Sequence, residues 1–205
     1  VSEATSADAV ARTAETRELS DPQAMRALAH PTRLALLEAL TRDGPLTATQ
    51  AAALLDDSPG NISWHLQTLA KYGFIEETGT GRGRTRPWRL VSLGQRFSTT
   101  TDSPAGLVAA GDALASVINE QHYERLRQWR ASPAAFEPRW RDAAFMAGSI
   151  TYLTPEELDQ LGEEIVQLFH RFRQRTLDRG RRPPGSAPVQ LVAFGHPLVP
   201  HPSGN

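Results

Sequence analysis

The residues whose types and spacing invite a chemical reading lie in SPGNISWHLQTLAKYGFIEE, residues 58–77. On a helix, Ile62, Leu66 and Leu69 share one side. Gly60, Trp64, Gln67 and Lys71 fall on the opposite side, and Asn61 and Ser63 lie on its flanks. A solvated helix ordinarily turns Lys and Glu outward. This one turns out short hydrogen-bonding groups and an indole. Asn, Gln and Ser match the donors and acceptors that base edges present in the major groove, and a ring can cover a thymine methyl. Ser58 sits where a helix begins, with free N–H groups and a dipole that favour a phosphate. Gly60 lets a second backbone come close. The alternatives are a merely solvated face and a Trp64 ring packed on a neighbouring hairpin or subunit. His65 falls at the core edge and reads as structural.

A second cluster follows in GTGRGRTR. Arg82, Arg84 and Arg86 alternate, so in an extended strand they point one way and form a cationic edge. Such an edge suits phosphates or a narrow minor groove. The competing reading is a flexible solvated hairpin. The glycines are not followed by the Lys-Ser/Thr pair of a nucleotide-binding loop. Between Ser58 and Phe97 the cations Lys71, Arg82, Arg84, Arg86, Arg89 and Arg96 face only Glu76 and Glu77, while the 205-residue chain carries a net charge of −1. A basic patch on a near-neutral chain suits a local anionic partner.

The flanking sequence predicts the elements that hold these residues. Ser20-Asp21-Pro22-Gln23 reads as a helix start, with Ser20 as the cap. Pro31 restarts a helix carrying Leu34, Leu37 and Leu40, and Gly44 stops it. Thr47 caps a third helix with Ala51, Leu54 and Leu55 inward. The helix 59–72 follows a polar corner at Asp56-Asp57. FIEETGTGRGRTRPWRLV then predicts two strands around a Gly-rich tip, with Pro87 assigning the second to an edge.

Residues 1–19 read as an N-terminal tail, disordered or helical, residues 20–98 as a winged helix-turn-helix domain, and residues 105–200 as a C-terminal domain. In that last part a long helix starts near Ala105 and ends at Ser132-Pro133. AAFMAGSITYL and PVQLVAFGHPLV read as strands. Thr154-Pro155-Glu156-Glu157 caps a helix over 155–179 with a Leu/Ile/Phe stripe. The fold class expected is mainly α (α+β), with a helical C-terminal domain holding a small β element. The stripe reads as core and dimer interface. Trp129, Phe136, Trp140, Phe145, Tyr152, Phe169 and Phe172 form a candidate pocket for a small apolar effector.

With no cysteine in the chain, disulfides, thiolate metal sites and cysteine nucleophiles are excluded. His122 with Glu120 and Glu124 is the nearest metal-like cluster, but i and i+2 face different helix sides. No Ser/His/Asp set or paired carboxylates suggest catalysis. The expectation is a non-enzyme without cofactor or metal. No apolar run approaches membrane-span length, and the polar start does not read as a signal peptide, so a cytoplasmic protein is expected.

ALAHPTRLALLEAL, TATQAAALL, SPGNISWHLQTLAKYGFIEE and GRGRTRPWRL together resemble the ArsR-type winged-helix repressors. Ser58, Ile62, Ser63, His65, Leu66, Leu69, Gly73, Phe74 and Ile75 fall on the pattern of that family's recognition region. The resemblance covers about residues 20–97. It implies a homodimer on an imperfect inverted repeat of double-stranded DNA, acting as a repressor released by a ligand. The chain departs from the metal-sensing members: their Cys pair is missing, and Trp64 stands where the first of two histidines is common. The alternative function is a winged-helix protein-interaction platform with a small-molecule-binding C-terminal domain.

Overall fold

The computed structural model describes residues 16–79 and 86–199. Its contacts divide the chain into two compact units, residues 1–128 and 129–205. The fold is mainly α with a small β component, and all the described strands lie in the first unit.

The first unit opens with a short strand, β1 (Thr16–Glu18), in a stretch that the sequence reading assigned to a disordered or helical tail. It pairs in parallel with β4 (Gly94–Arg96), Thr16 opposite Gly94, and brings Leu19 into the core. Residues 1–15 lie outside the described residues. Helix α1 (Pro22–Leu28) is capped by Asp21, whose side chain accepts from the Gln23 N–H at 2.8 Å; Ser20 is not the cap. A carboxylate one residue nearer the first turn reaches the free N–H groups that the serine cannot.

Helix α2 (Pro31–Asp43) starts at His30, which accepts from the Thr32 N–H through Nδ1, and stops at Gly44 with φ +74°. Helix α3 (Ala48–Leu55) has the expected Thr47 cap, which the structure completes with Gln50 into a capping box. Leu54 faces solvent instead of the core, at 49% exposure. Asp56 adopts φ +53° and turns the chain into α4 (Pro59–Lys71), capped by Ser58. Gly73 at φ +72° ends the last turn, a left-handed position that glycine takes without a Cβ clash.

Strands β2 (Ile75–Glu77) and β3 (Trp88–Leu90) pair antiparallel, with Ile75 opposite Leu90. Trp88 also exchanges backbone hydrogen bonds with Leu46, at 3.0 and 2.8 Å. Pro87 thus does not leave β3 an open edge there. The wing tip, residues 80–85, lies outside the described residues.

Met25, Leu28, Leu36, Ile62, Leu66, Leu69 and Phe74 are fully buried around one core. Each such side chain contributes about 1.5–3 kcal/mol relative to exposure. Helix α5 (Ala105–Ala131) adds Ala110 and Leu114 to it. Farther along it Leu126 is 41% exposed.

The second unit holds α6 (Pro138–Ala143), α7 (Pro155–His170) and α8 (Arg173–Leu177). Thr154 and Glu157 form the expected capping box of α7. The helix expected over 155–179 breaks after His170. The two stretches expected as strands, 143–153 and 188–199, form none. A strand needs a neighbouring strand to pair with, and neither run is in a ladder of the described residues. No described residue beyond Leu114 is buried. No described helix is long and apolar enough to cross a membrane.

Candidate nucleic-acid interface

Helix α4 is placed by its inner face. Ile62, Leu66 and Leu69 are sealed in the core, and His65 is buried beside them. The His65 ring lies 4.6 Å from that of His30 and 4.8 Å, edge-on, from that of Trp64. Its Nδ1 has no hydrogen-bond partner. Burial holds the pKa of both His30 and His65 below the ordinary 6.5; in each case a cationic neighbour, Arg33, adds to the effect, and for His65 so does His30. Both imidazoles are thus biased toward the neutral form, as a close pair of rings requires.

The outer face is open. Ser58, Gly60, Asn61, Gln67 and Lys71 are exposed, Ser63 is half-buried, and Trp64 is 57% exposed although it is the largest side chain of the helix. Ser58 accepts from the Asn61 N–H at 3.2 Å, so its own O–H proton remains available outward. A methyl group placed on Gly60 meets no heavy atom within 4 Å. The start of α4 is therefore sterically open at Gly60, which leaves room for a close phosphate.

One feature of this face escaped the sequence reading. Asp57 accepts from the Ser58 N–H at 2.6 Å and from the Asn61 Nδ2 at 2.7 Å. A carboxylate thus occupies the positive end of the helix and holds the Asn61 carboxamide by its donor side. Its signal was an acid placed four residues ahead of Asn61, next to the cap. Asn61 still presents its side-chain oxygen and the second proton of Nδ2, while Asp57 fixes the orientation of the carboxamide.

The far end of α4 is held by Arg17 of β1. This arginine donates to the Tyr72 carbonyl at 2.8 Å and lies over the Phe74 ring. Free carbonyls at a helix C-terminus favour such a cation.

In the wing, Arg86 pairs with Glu77 at 2.9 Å and Arg89 with Glu76 at 2.7 Å. The stem is thereby largely neutralised. Arg82 and Arg84, which carry the rest of the expected cationic edge, lie outside the described residues.

The aromatic residues expected around an effector pocket differ in exposure. Phe145 is 80% exposed and Tyr152 fully so, which removes both from any enclosed lining within the chain. Phe136 and Phe172 are 43% and 47% exposed, and Trp129, Trp140 and Phe169 are half-buried. Arg171 and Arg175 lie over the Phe172 ring.

Residues 28–78 match the family described as a helix-turn-helix domain. The match runs from the end of α1 through α2, α3 and α4 to β2, so the chain carries a helix-turn-helix domain. A domain of this kind marks a DNA-binding regulator. Among curated proteins, no match was found.

Proposed function

We propose that the protein is a homodimeric transcription repressor of ArsR type that reads an inverted-repeat operator. The observation that carries this reading is the outer face of α4. Asn61, Trp64, Gln67 and Lys71 project from the recognition helix, and none is taken up by the core. Their groups can pair with base edges while the open space at Gly60 admits a phosphate. Arg82 and Arg84 are assigned to the flanking backbone, since the stem arginines Arg86 and Arg89 already have carboxylate partners.

Dimerisation is supported by the second unit. Its α7 stripe leaves Leu161 at 41% and Leu168 at 61% exposure, and none of the unit's described residues is buried. Large apolar groups left open to water mark an interaction surface. A second copy covers it and sets two recognition helices about one helical turn, roughly 34 Å, apart. An apolar effector would also need that second copy, because Phe145 and Tyr152 stand in solvent.

The test is to sequence the duplex fragments that the purified protein retains from its own genome, and to titrate one of them at several salt concentrations. A shared two-fold motif is expected, with affinity falling steeply as salt rises. Absence of binding even to random duplex at low salt would overturn this reading in favour of a protein-interaction platform.

A further inference from the structure

Among the described residues, Arg33 is the one permanently charged side chain that the fold buries, at 9% exposure. Its Nε–H has no acceptor. It takes part in none of the ion pairs of the described residues. The groups that face it are the imidazoles of His30 and His65 and the ring of Tyr72, and no carboxylate is among them. Burial holds its pKa below the ordinary arginine value. A buried charge without a counter-charge costs several kcal/mol, and folds normally supply one.

An open surface recess of about 270 Å³ is lined by Gln23, Arg26, Ala27, Arg33, Thr68 and Tyr72. Arg26 brings a second cation to the rim. Its one hydrogen bond, to the Gly106 carbonyl, is long at 3.4 Å, so its guanidinium gives up little by turning inward. Gln23 and Tyr72 add neutral donors. The residues that line this recess carry two guanidinium groups, an amide and a phenol, and no acid is among them. This set is matched to a planar or tetrahedral oxyanion, which arginine grips by paired N–H bonds. The volume lies just below the ~300–1,000 Å³ of sites for larger organic ligands.

We propose that this recess is an oxyanion site, in which Arg33 and Arg26 hold a carboxylate or phosphate group against the flank of α4. The arginines belong to α1 and α2, whereas Thr68 and Tyr72 belong to α4. An occupant therefore ties the recognition helix to the two helices behind it. A soluble anion and a backbone phosphate of a nucleic acid offer the same chemistry to the site. The proposal stands apart from the groove-reading face and does not depend on it.

The experiment uses the full chain and inorganic phosphate as the probe, against sodium chloride at equal ionic strength. Calorimetry is expected to show saturable binding of one phosphate per chain, and the melting temperature should climb with phosphate but not with chloride. Arg33→Met should abolish both responses while melting in chloride at or above the native temperature, because an uncompensated charge is gone. Arg26→Gln at the rim should weaken phosphate binding roughly tenfold, about the loss of one charge-assisted hydrogen bond, with melting in chloride unchanged. No saturable response in the native protein would overturn the proposal. So would an unaltered phosphate titration in Arg26→Gln together with an Arg33→Met variant that melts lower in chloride, since Arg33 would then be a packing residue. A duplex titration run with and without phosphate identifies the source: competition points to a backbone phosphate, and independent binding to a soluble anion. Loss of all duplex binding would end the DNA reading and leave the phosphate result standing.

Discussion

Replacing Gly60 by alanine separates the needs of the fold from those of the interface. The residue is the second of α4, and a Cβ there touches nothing within 4 Å. Its φ is not in the left-handed region, so alanine adopts the backbone without strain. Alanine exceeds glycine in a helix interior by ~0.5–1 kcal/mol, and the first turn lies at the lower end. A gain of about 0.5 kcal/mol raises the melting temperature by roughly 1–4 °C. On DNA the sign reverses. A methyl group inserted where a phosphate meets the open helix start acts as overpacking, which costs ~1–3 kcal/mol. That converts to roughly a five- to hundredfold loss of affinity. The assay is fluorescence anisotropy on a retained duplex, alongside thermal unfolding of the same preparation. A raised melting temperature with unchanged affinity would refute the close approach. A lowered melting temperature would refute the claim that the fold leaves this position free.

Gln67→Ala and Asn61→Ala should each lower specific affinity by ~1–3 kcal/mol and relax preference at single base pairs, and equal losses on every sequence in a binding-selection assay would contradict direct readout. Arg84→Ala should weaken binding more uniformly and flatten the salt slope by about one unit, which titrations at graded salt will measure. Stability should be greatest above pH 6.5 and decline as pH falls below it. His30, His65 and His122 are all held below that ordinary value, chiefly by burial, so the unfolded chain binds more protons in that window. The groups facing His65 are His30 and Arg33, which disfavour its proton, and Asp57, which favours it without reversing the sign. Urea midpoints at pH 7.5 and 5.5 check this, and a midpoint that rises on acidification would contradict it.

What the sequence disclosed was local. Thr47 as a cap and Thr154 with Glu157 as a capping box are visible because their partners lie within three residues. The 3.6-residue spacing of Ile62, Leu66 and Leu69 identified the inner face of α4 for the same reason. Strand β1 was hidden because its partner, β4, lies far along the chain and its three residues carry no apolar alternation. Arg33 looked like the polar side of PTRLALLEAL; only the packing of His30, His65 and Tyr72 around it reveals a buried charge. The Asp57–Asn61 bond was legible in principle, since four-residue spacing brings such pairs together, but groove readout was the stronger expectation for that asparagine. In the C-terminal part, short apolar runs such as AAFMAGSITYL satisfy the strand pattern without any partner strand, and periodicity alone cannot supply one.

The two ends of α4 explain why its position, and not only its surface, is open to control. At the start, Asp57 occupies the positive pole and takes one of the two Nδ2 protons of Asn61. At the other end, Arg17 holds the Tyr72 carbonyl, and Tyr72 lines the recess together with Arg33. A ligand at that recess and a phosphate at the helix start thus act on opposite ends of one rigid element about 20 Å long. Small movements of such an element shift both ends together, because the packed core beneath Ile62, Leu66 and Leu69 does not deform continuously. Asp57→Asn isolates this coupling. It weakens the hold on Asn61 and removes a charge that repels phosphates, at a cost of ~0.3–1 kcal/mol from the helix dipole. Affinity for duplex should rise a few-fold on all sequences, and the salt slope should steepen. A large loss confined to the specific operator would mean instead that Asp57 holds Asn61 in its reading position, and the idea of a competing carboxylate would fall.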